Sequence, residues 1–206
     1  MKNYLDVVRC GRVRGPRSPI VGTSITLALT LTLAACGAKS PAAQAGDELA
    51  AGLRAEGQGQ MTQAADHFQK ATVKDPSNKF AYYNLGLVDQ LSGQTAAAET
   101  NYRAALQIDP NFRSALFNLA IIRTGPSPEE AEQLYRHVIA LQPNDAGPHL
   151  NLGFLLRSMG RKDEAKVEFA RAVSYEPLYA SRIPTDSRPA AAAAVVAPSP
   201  TPRRSP

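Results

Sequence analysis

The chain is poor in the residues that most often carry chemistry. Its 206 residues include two cysteines, three histidines and no tryptophan. Cys10 and Cys36 both lie near the amino terminus, so no disulfide framework holds the rest of the chain together. The central part must therefore be stabilised by apolar packing alone.

Motifs of metal sites and active sites are missing as well. None of the three histidines has a partner at ligand spacing, and the sequence contains no H-E-x-x-H, C-x-x-C or G-x-S-x-G pattern. Acidic pairs such as Glu129–Glu130 and Asp163–Glu164 stand at predicted helix starts, where the helix dipole explains them. We therefore expect no catalytic residues, no metal site and no cofactor.

The charge distribution gives no support for nucleic-acid binding. The net charge is +5, but residues 1–35 carry +4, residues 36–178 carry −2 and residues 179–206 carry +3. A nucleic-acid-binding domain usually presents an excess of lysine and arginine to the phosphates. We expect no nucleic-acid partner for the central part.

The first 35 residues have the pattern of an export signal. A basic segment leads into an uncharged stretch, Val21 to Ala35, which is short for a bilayer span of about 20 apolar residues. A basic segment, a short apolar core and small residues before a cut are typical of secretory signals. Residues 1–35 are predicted as the signal and residues 36–44 as a linker. An uncleaved signal anchor and an isolated edge strand are the alternatives.

Leu33-Ala34-Ala35-Cys36 resembles the bacterial lipobox. The resemblance implies that Cys36 receives a diacylglyceryl group and becomes the first mature residue. Two acyl chains anchor a protein stably, whereas one binds weakly. Gly37, rather than an aspartate, follows the cysteine. This implies an outer-membrane location in the envelope of a two-membrane bacterium, and the outer face of the cell membrane in a one-membrane bacterium.

A period of about 34 residues runs through the centre of the sequence. Prolines that end predicted helices recur 34, 33 and 34 residues apart, because the residue before a proline is pushed out of helical geometry. These prolines are Pro76, Pro110, Pro143 and Pro177. An asparagine, a leucine and a small residue precede the last three prolines, in triplets that begin at Asn84, Asn118 and Asn151.

Other residue types recur at the same period. The small residue that ends each triplet lets two helices approach closely, and it is Gly86, Ala120 or Gly153. An aromatic residue in the following helix fills the gap between helix pairs, at Tyr102, Tyr135 and Phe169. Turn glycines, for which positive φ is cheap, stand at Gly59, Gly93 and Gly160. The third turn lacks this glycine, and Ser127 and Pro128 predict a capped helix start there.

This pattern resembles the tetratricopeptide repeat, a helix–turn–helix unit. The resemblance implies an all-α fold, a right-handed solenoid of about four repeats near residues 45–78, 79–112, 113–145 and 146–179. Eight helices are predicted near residues 46–58, 62–74, 78–91, 95–108, 112–123, 128–141, 145–159 and 162–175. The Pro- and Ala-rich residues 180–206 are predicted as a disordered tail.

Two residues depart from the repeat pattern. Glu48 stands where other repeats carry a larger apolar or aromatic residue, so the first repeat is predicted to be weak or to act as a cap. Asp89 stands where the fourth repeat has Leu156, which predicts a looser second hairpin. No final polar helix follows Pro177, and the far face of the last hairpin is either exposed or covered by the tail.

The resemblance implies that the first helix of each hairpin lines a concave groove. Asn84, Asn118 and Asn151 match the family's recurrent groove asparagine, whose amide can pair with the main chain of an extended peptide. Bonding of these asparagines within the repeat is the alternative. The neighbouring apolar positions are Tyr83, Phe117, Leu150, Leu87, Ile121 and Phe154. They predict either an apolar floor for a peptide or helix or mutual packing between first helices.

These features together predict a non-enzymatic adaptor or assembly factor that is anchored through lipid on Cys36 and binds a protein or peptide. It resembles the repeat lipoproteins that help envelope complexes assemble, of which the type IV pilus pilotin is one example. An accessory module that localises a cell-wall-active enzyme, or that serves a secretion or pilus complex, is the rival prediction. An enzyme is a third class, against which the missing site argues. Self-association is left open.

Overall fold

The computed structural model describes residues 39–189. Its eight α-helices are α1 (Pro41–Gly57), α2 (Met61–Lys74), α3 (Lys79–Leu91), α4 (Thr95–Ile108), α5 (Arg113–Arg123), α6 (Pro128–Leu141), α7 (Ala146–Ser158) and α8 (Lys162–Tyr175). Two short 3-10 helices follow, at Pro177–Arg182 and Thr185–Ser187. No strand occurs in this part of the chain, and the predicted all-α repeat fold is confirmed.

Each odd-numbered helix pairs with the next even-numbered helix, and the hairpins stack in chain order. The stack therefore has two edges. The loop edge contains the start of each odd-numbered helix and the connections between hairpins, at residues 75–78, 109–112 and 142–145, together with residues 176–178 after the last hairpin. The turn edge contains the turns within hairpins, at residues 58–60, 92–94, 124–127 and 159–161. Stacks of this kind are held together by contacts between neighbouring units.

Small residues permit the close approach within each hairpin. A Cβ added to Gly153 would lie 2.6 Å from ring carbons of Phe169, and one added to Gly86 would lie 2.9 Å from the ring of Tyr102. Both aromatic rings are fully buried. Steric contact between the ring and the facing helix therefore sets how closely the two helices pack.

Three of the four turns use the glycine that the sequence predicts. Gly59, Gly93 and Gly160 have φ values of 74°, 76° and 82°, a region that costs little only for glycine. In the third turn Ser127 does occupy the N-cap position, but its side chain caps no backbone N–H. Arg123 Nη2 instead donates to Ser127 Oγ, so an arginine rather than a glycine or a capping serine organises this turn.

Glu48 has partners that the sequence pattern did not indicate. His67 Nδ1 lies 2.8 Å from Glu48 Oε2, and Lys74 Nζ donates to Glu48 Oε1 at 2.9 Å. Hydrogen bonds from His67 and Lys74 lower the pKa of Glu48 from its ordinary 4.5 to about 2. Asp89 is likewise satisfied, because Asn101 Nδ2 donates to its carboxylate at 2.7 Å. Both departures from the repeat pattern are thus paired polar groups.

The fourth hairpin carries the same pair with the residues exchanged. His149 Nδ1 lies 2.6 Å from Glu168 Oε2, and both side chains are buried. His149 and Glu168 occupy the same two positions of their hairpin as Glu48 and His67, and 19 residues separate the partners in each case. An acid–histidine pair therefore joins the two helices of the first hairpin, and another joins those of the last. The acid is on the first helix in one hairpin and on the second helix in the other.

Both ends of the repeat region differ from the prediction. Helix α1 begins at Pro41, inside the predicted linker, because Ser40 accepts a hydrogen bond from the Ala43 N–H and proline fits the first helical position. At the other end, Ala180 and Ile183 are fully buried against the last hairpin. The far face of that hairpin is thus covered by residues that the sequence placed in the tail. The apolar residues after Pro177 explain why this part of the chain packs against the last hairpin.

Several predictions from the sequence fall outside the described part of the chain. The export signal, the lipobox with Cys36 and residues 190–206 of the tail are among them. Within residues 39–189, no helix has both the length and the apolar character that crossing a membrane requires.

Replacing Gly153 by alanine tests the close approach between α7 and α8. The added methyl group would collide with Phe169, and we expect the free energy of unfolding to fall by about 1–3 kcal/mol. Gly46 is a matched control, because a Cβ there meets nothing within 4 Å. Gly46→Ala should raise stability by about 0.5–1 kcal/mol through its better helix propensity. Urea unfolding measures both, and equal effects would contradict the steric explanation.

Replacing Glu48 by glutamine tests the ion pairs of the first hairpin. Because the folded pKa of Glu48 is lowered, its stabilisation is complete above about pH 4.5 and is lost as the pH falls towards 2. We expect wild type to be more stable than Glu48→Gln by about 1–2 kcal/mol at pH 7, and this gap to close in acid. Asp66→Asn, which breaks only an exposed pair with Lys70, should show almost no gap. A gap that is constant with pH would contradict the pairing.

Candidate functional site

A pocket of about 320 Å³ opens beside the first helices of the second, third and fourth hairpins. Tyr83, Phe117, Pro148 and Tyr179 give it an aromatic and apolar lining. Its polar lining comes from Arg113, Ser114, Asn118, Asp145 and Gly147. The pocket therefore offers both apolar contact and hydrogen-bonding groups, a combination that is usual for binding sites.

The structure brings only some of the predicted groove residues to this pocket. Tyr83, Phe117 and Asn118 line it. One helical turn further along, towards the turn edge, Leu87 and Phe154 are half-buried and Ile121 is 39% exposed. Leu150 is only 1% exposed, so it supports the groove from beneath and offers no surface to a ligand.

Two of the groove asparagines bond to the preceding hairpin. Asn118 Nδ2 donates to the Tyr102 hydroxyl at 3.3 Å, and that hydroxyl donates to Gln90 Oε1 at 2.7 Å. Asn151 interacts with the Tyr135 hydroxyl, whose other partner is Thr124 Oγ1 at 3.4 Å. Burial raises the pKa of Tyr102 to about 12, so its hydroxyl stays protonated at neutral pH. The tyrosine that fills each hairpin thereby also orients the next asparagine.

Asn84 bonds differently because the first hairpin has Phe68 in place of a tyrosine. Without a hydroxyl to accept from, Asn84 Nδ2 donates to the Phe80 carbonyl in its own helix at 2.8 Å. The three asparagines therefore share a position on their helices but not a hydrogen-bond partner. The sequence signal for this difference is the absence of the hydroxyl at Phe68.

Aromatic rings form a continuous wall between α3 and α5. The ring centroids of Phe80 and Phe112 are 5.4 Å apart, those of Phe112 and Tyr83 are 5.2 Å apart, and those of Tyr83 and Tyr102 are 5.9 Å apart. Lys79 Nζ lies 5.1 Å from the centroid of Phe112 and pairs with Asp109. Edge-to-face and cation–π contacts of this kind hold the rings in fixed orientations.

The deeper predicted aromatics pack within their own hairpins. Phe117 makes an edge-to-face contact with Tyr135 at 6.0 Å, and Phe154 makes one with Phe169 at 5.1 Å. Neither contact joins neighbouring first helices. On the first helices, the apolar surface that stays open to solvent is carried by less buried positions. These are Leu53, Phe80, Leu91 and Ile121, which are 47%, 49%, 62% and 39% exposed.

The polar rim of the pocket was not found from the sequence. Arg113 Nη1 pairs with Asp145 Oδ2, and Asp145 Oδ1 accepts the Gly147 N–H at 3.1 Å. Arg113 and Asp145 start successive first helices, so only the stacking of hairpins brings them together. Tyr179 reaches the pocket from the 3-10 helix that covers the last hairpin. In the sequence, the position of Tyr179 is indicated only by the apolar residues that continue past Pro177.

The family model described as the Cilia and flagella-associated protein 70 middle TPR-like domain matches residues 48–176. The sequence has no significant match among curated proteins.

Several solved structures are similar in fold. MamA has a TM-score of 0.61 at 22% identity, over 66% of this chain and 81% of its own. YrrB, described as a TPR protein with an unusual peptide-binding site, has a TM-score of 0.60 at 21% identity, over 65% and 70% of the two chains. PilF of Pseudomonas aeruginosa has a TM-score of 0.60 at 26% identity, over 69% and 67%. With the matched residues and the four stacked hairpins, these similarities show that the chain belongs to the tetratricopeptide-repeat family of the Cilia and flagella-associated protein 70 middle domain.

Proposed function

We propose that the protein is a non-enzymatic binding module, held at a membrane by lipid on Cys36, that takes a peptide or helix of a partner protein into the groove of its first helices. The observation that carries this proposal is the pocket beside Asn118, where an amide meets the aromatic side chains of Tyr83, Phe117 and Tyr179. The groove supplies two kinds of contact, which act on different parts of a ligand.

The asparagines supply main-chain recognition. An amide has two donor hydrogens and an acceptor oxygen. The side-chain nitrogen of Asn118 donates hydrogen bonds to tyrosine hydroxyls, and that of Asn84 donates one to a main-chain carbonyl. Within residues 39–189 neither Oδ1 atom accepts a hydrogen bond, so each can accept an N–H from an incoming peptide. Recognition through the main chain does not depend on the ligand's sequence.

The open apolar side chains supply the selectivity. Leu91 and Ile121 each present a large part of their side chain to solvent on the groove helices. Burying such groups against an apolar segment of a partner releases about 25 cal/mol per Å² of covered surface. An amphipathic helix or an extended segment with alternating apolar residues fits this surface. YrrB, which shares the fold, is itself described as binding peptide, and this supports a peptide ligand here.

The adaptor role and the extracytoplasmic location rest on the lipobox resemblance at Cys36. An anchored module with a groove can hold one component of an envelope complex at the membrane while the complex assembles. A wall-active enzyme localised by the same groove is the rival partner class. The identity of the captured partner distinguishes the two.

A photo-crosslinking residue at Ile121 tests the groove. We expect ultraviolet irradiation of cells that carry the full chain to attach a discrete partner at this position. Val167 is a matched control, because it is 50% exposed on α8, outside the groove helices. The same partner crosslinked equally from both positions would contradict groove binding. Mass spectrometry of the adduct identifies a scaffold component or a hydrolase.

Ile121→Ser should weaken capture of that partner about tenfold, since the loss of buried aliphatic surface costs about 1.4 kcal/mol or more. Ile121 is preferable to Phe117 and Phe154 as a test position, because those rings pack against Tyr135 and Phe169 and their loss would also destabilise the hairpins. Binding assays on the purified pair measure the change, and thermal unfolding shows that the variant remains folded.

Cys36→Ser tests the anchor. We expect the variant to lose membrane association, because two acyl chains supply stable anchoring. Fractionation of the cells and metabolic labelling with a fatty-acid analogue give the readouts. A serine variant that still sediments with membranes, or a wild-type protein that takes up no label, would contradict the lipid anchor.

A further inference from the structure

Exposed apolar side chains gather at the loop edge of the stack. Residues 39–189 contain ten exposed large apolar residues, and six of them are at this edge. Four lie at the ends of even-numbered helices, one at the start of α3 and one in the 3-10 helix just after α8. They are Val73, Ile108, Leu141, Tyr175, Phe80 and Leu178. Leu178 and Val73, at 76% and 75%, are the most exposed of the ten.

Many of the ions at this edge are paired with one another. Lys74 pairs with Glu48, Lys79 pairs with Asp109, and Arg113 pairs with Asp145. Within residues 39–189, the carboxylates of Asp75 and Glu176 at the same edge accept hydrogen bonds only from Ser77 and the Leu178 N–H. A zwitterionic headgroup layer can keep these charged groups hydrated while the row of apolar side chains reaches past them.

Chain connectivity puts the same edge next to the lipid attachment point. Helix α1 begins at the loop edge with Pro41, five residues after Cys36. Even a fully extended chain covers no more than about 3.6 Å per residue, so the start of α1 stays within about 18 Å of Cys36. A lipid on Cys36 would hold the start of α1, which belongs to this edge, close to the membrane.

We propose that the loop edge rests on the phospholipid bilayer, with the apolar row in the interfacial layer. The proposal relies on the lipid anchor at Cys36 that is part of the proposed function. Tyrosine and aliphatic side chains are favoured at the interface of a bilayer. The apolar residues are spread one or two to a hairpin along the stack, which suits a flat surface better than a compact protein ligand. In this orientation the turn edge and the groove positions near it, Leu91 and Ile121, stay open to a partner. The pocket beside Arg113 and Asp145 lies near the bilayer surface.

Single-tryptophan reporters test the orientation, because the natural chain has no tryptophan. Leu178→Trp places the reporter at the loop edge, where the side chain is 76% exposed. Leu91→Trp is the matched control, because Leu91 is 62% exposed and ends α3 at the turn edge. Each full-length, acylated variant is reconstituted with phosphatidylcholine vesicles, with and without brominated acyl chains. Vesicle flotation is measured in parallel.

We expect the Leu178→Trp emission to shift to shorter wavelength on vesicles and to lose about half its intensity with brominated chains, as for an interfacial tryptophan. The Leu91→Trp emission should stay unchanged. Flotation with no quenching of Leu178→Trp, or equal quenching of both reporters, would overturn the orientation and leave the anchor standing. Failure to float would instead refute the anchor, and the orientation with it. A blue shift that grows with protein concentration without vesicles would mean that a second copy covers the edge, which also overturns the proposal.

Discussion

The contact between one aromatic ring and one small residue in each hairpin is the constraint on which the rest of the structure depends. In the fourth hairpin the ring of Phe169 packs directly on Gly153, and in the second the ring of Tyr102 packs directly on Gly86. This contact sets the separation of the two helices. Where the ring is a tyrosine, its hydroxyl also orients the groove asparagine of the next hairpin. One residue type therefore determines both the packing of a hairpin and the chemistry of the neighbouring groove surface.

Periodic residues made the helices and the glycine turns predictable, because each of these depends on residues close together in the chain. The groove was predictable only in part. The sequence identified Asn118 and Phe117, but it also included Leu150, which proved to be buried. The Arg113–Asp145 pair joins residues 32 positions apart and arises only when hairpins stack. Long-range contacts between irregularly placed polar residues leave no period in a sequence.

The two acid–histidine pairs show how a polar residue can occupy an interior position of the repeat. Glu48 with His67, and His149 with Glu168, fill positions that the third hairpin fills with Leu116 and Leu134. An apolar pair needs only volume, whereas a charged residue needs a partner when it is buried. A polar residue at an apolar position of the repeat suggests, on its own, a destabilised hairpin. Considered with its partner on the facing helix, the same residue is a stabilising contact.

Charge networks at two of the turns make the stack depend on ionic strength. In the third turn Arg123 bridges Glu99 of the second hairpin and Glu130 of the third, at 3.2 Å and 2.7 Å. In the fourth turn Arg161 pairs with Glu132 of the third hairpin and Glu164 of the fourth. Dissolved salt screens partly exposed charge pairs, but it leaves the backbone geometry of a glycine turn unaffected. The two junctions of the third hairpin with its neighbours are therefore the places where a change in electrolyte would first loosen the array.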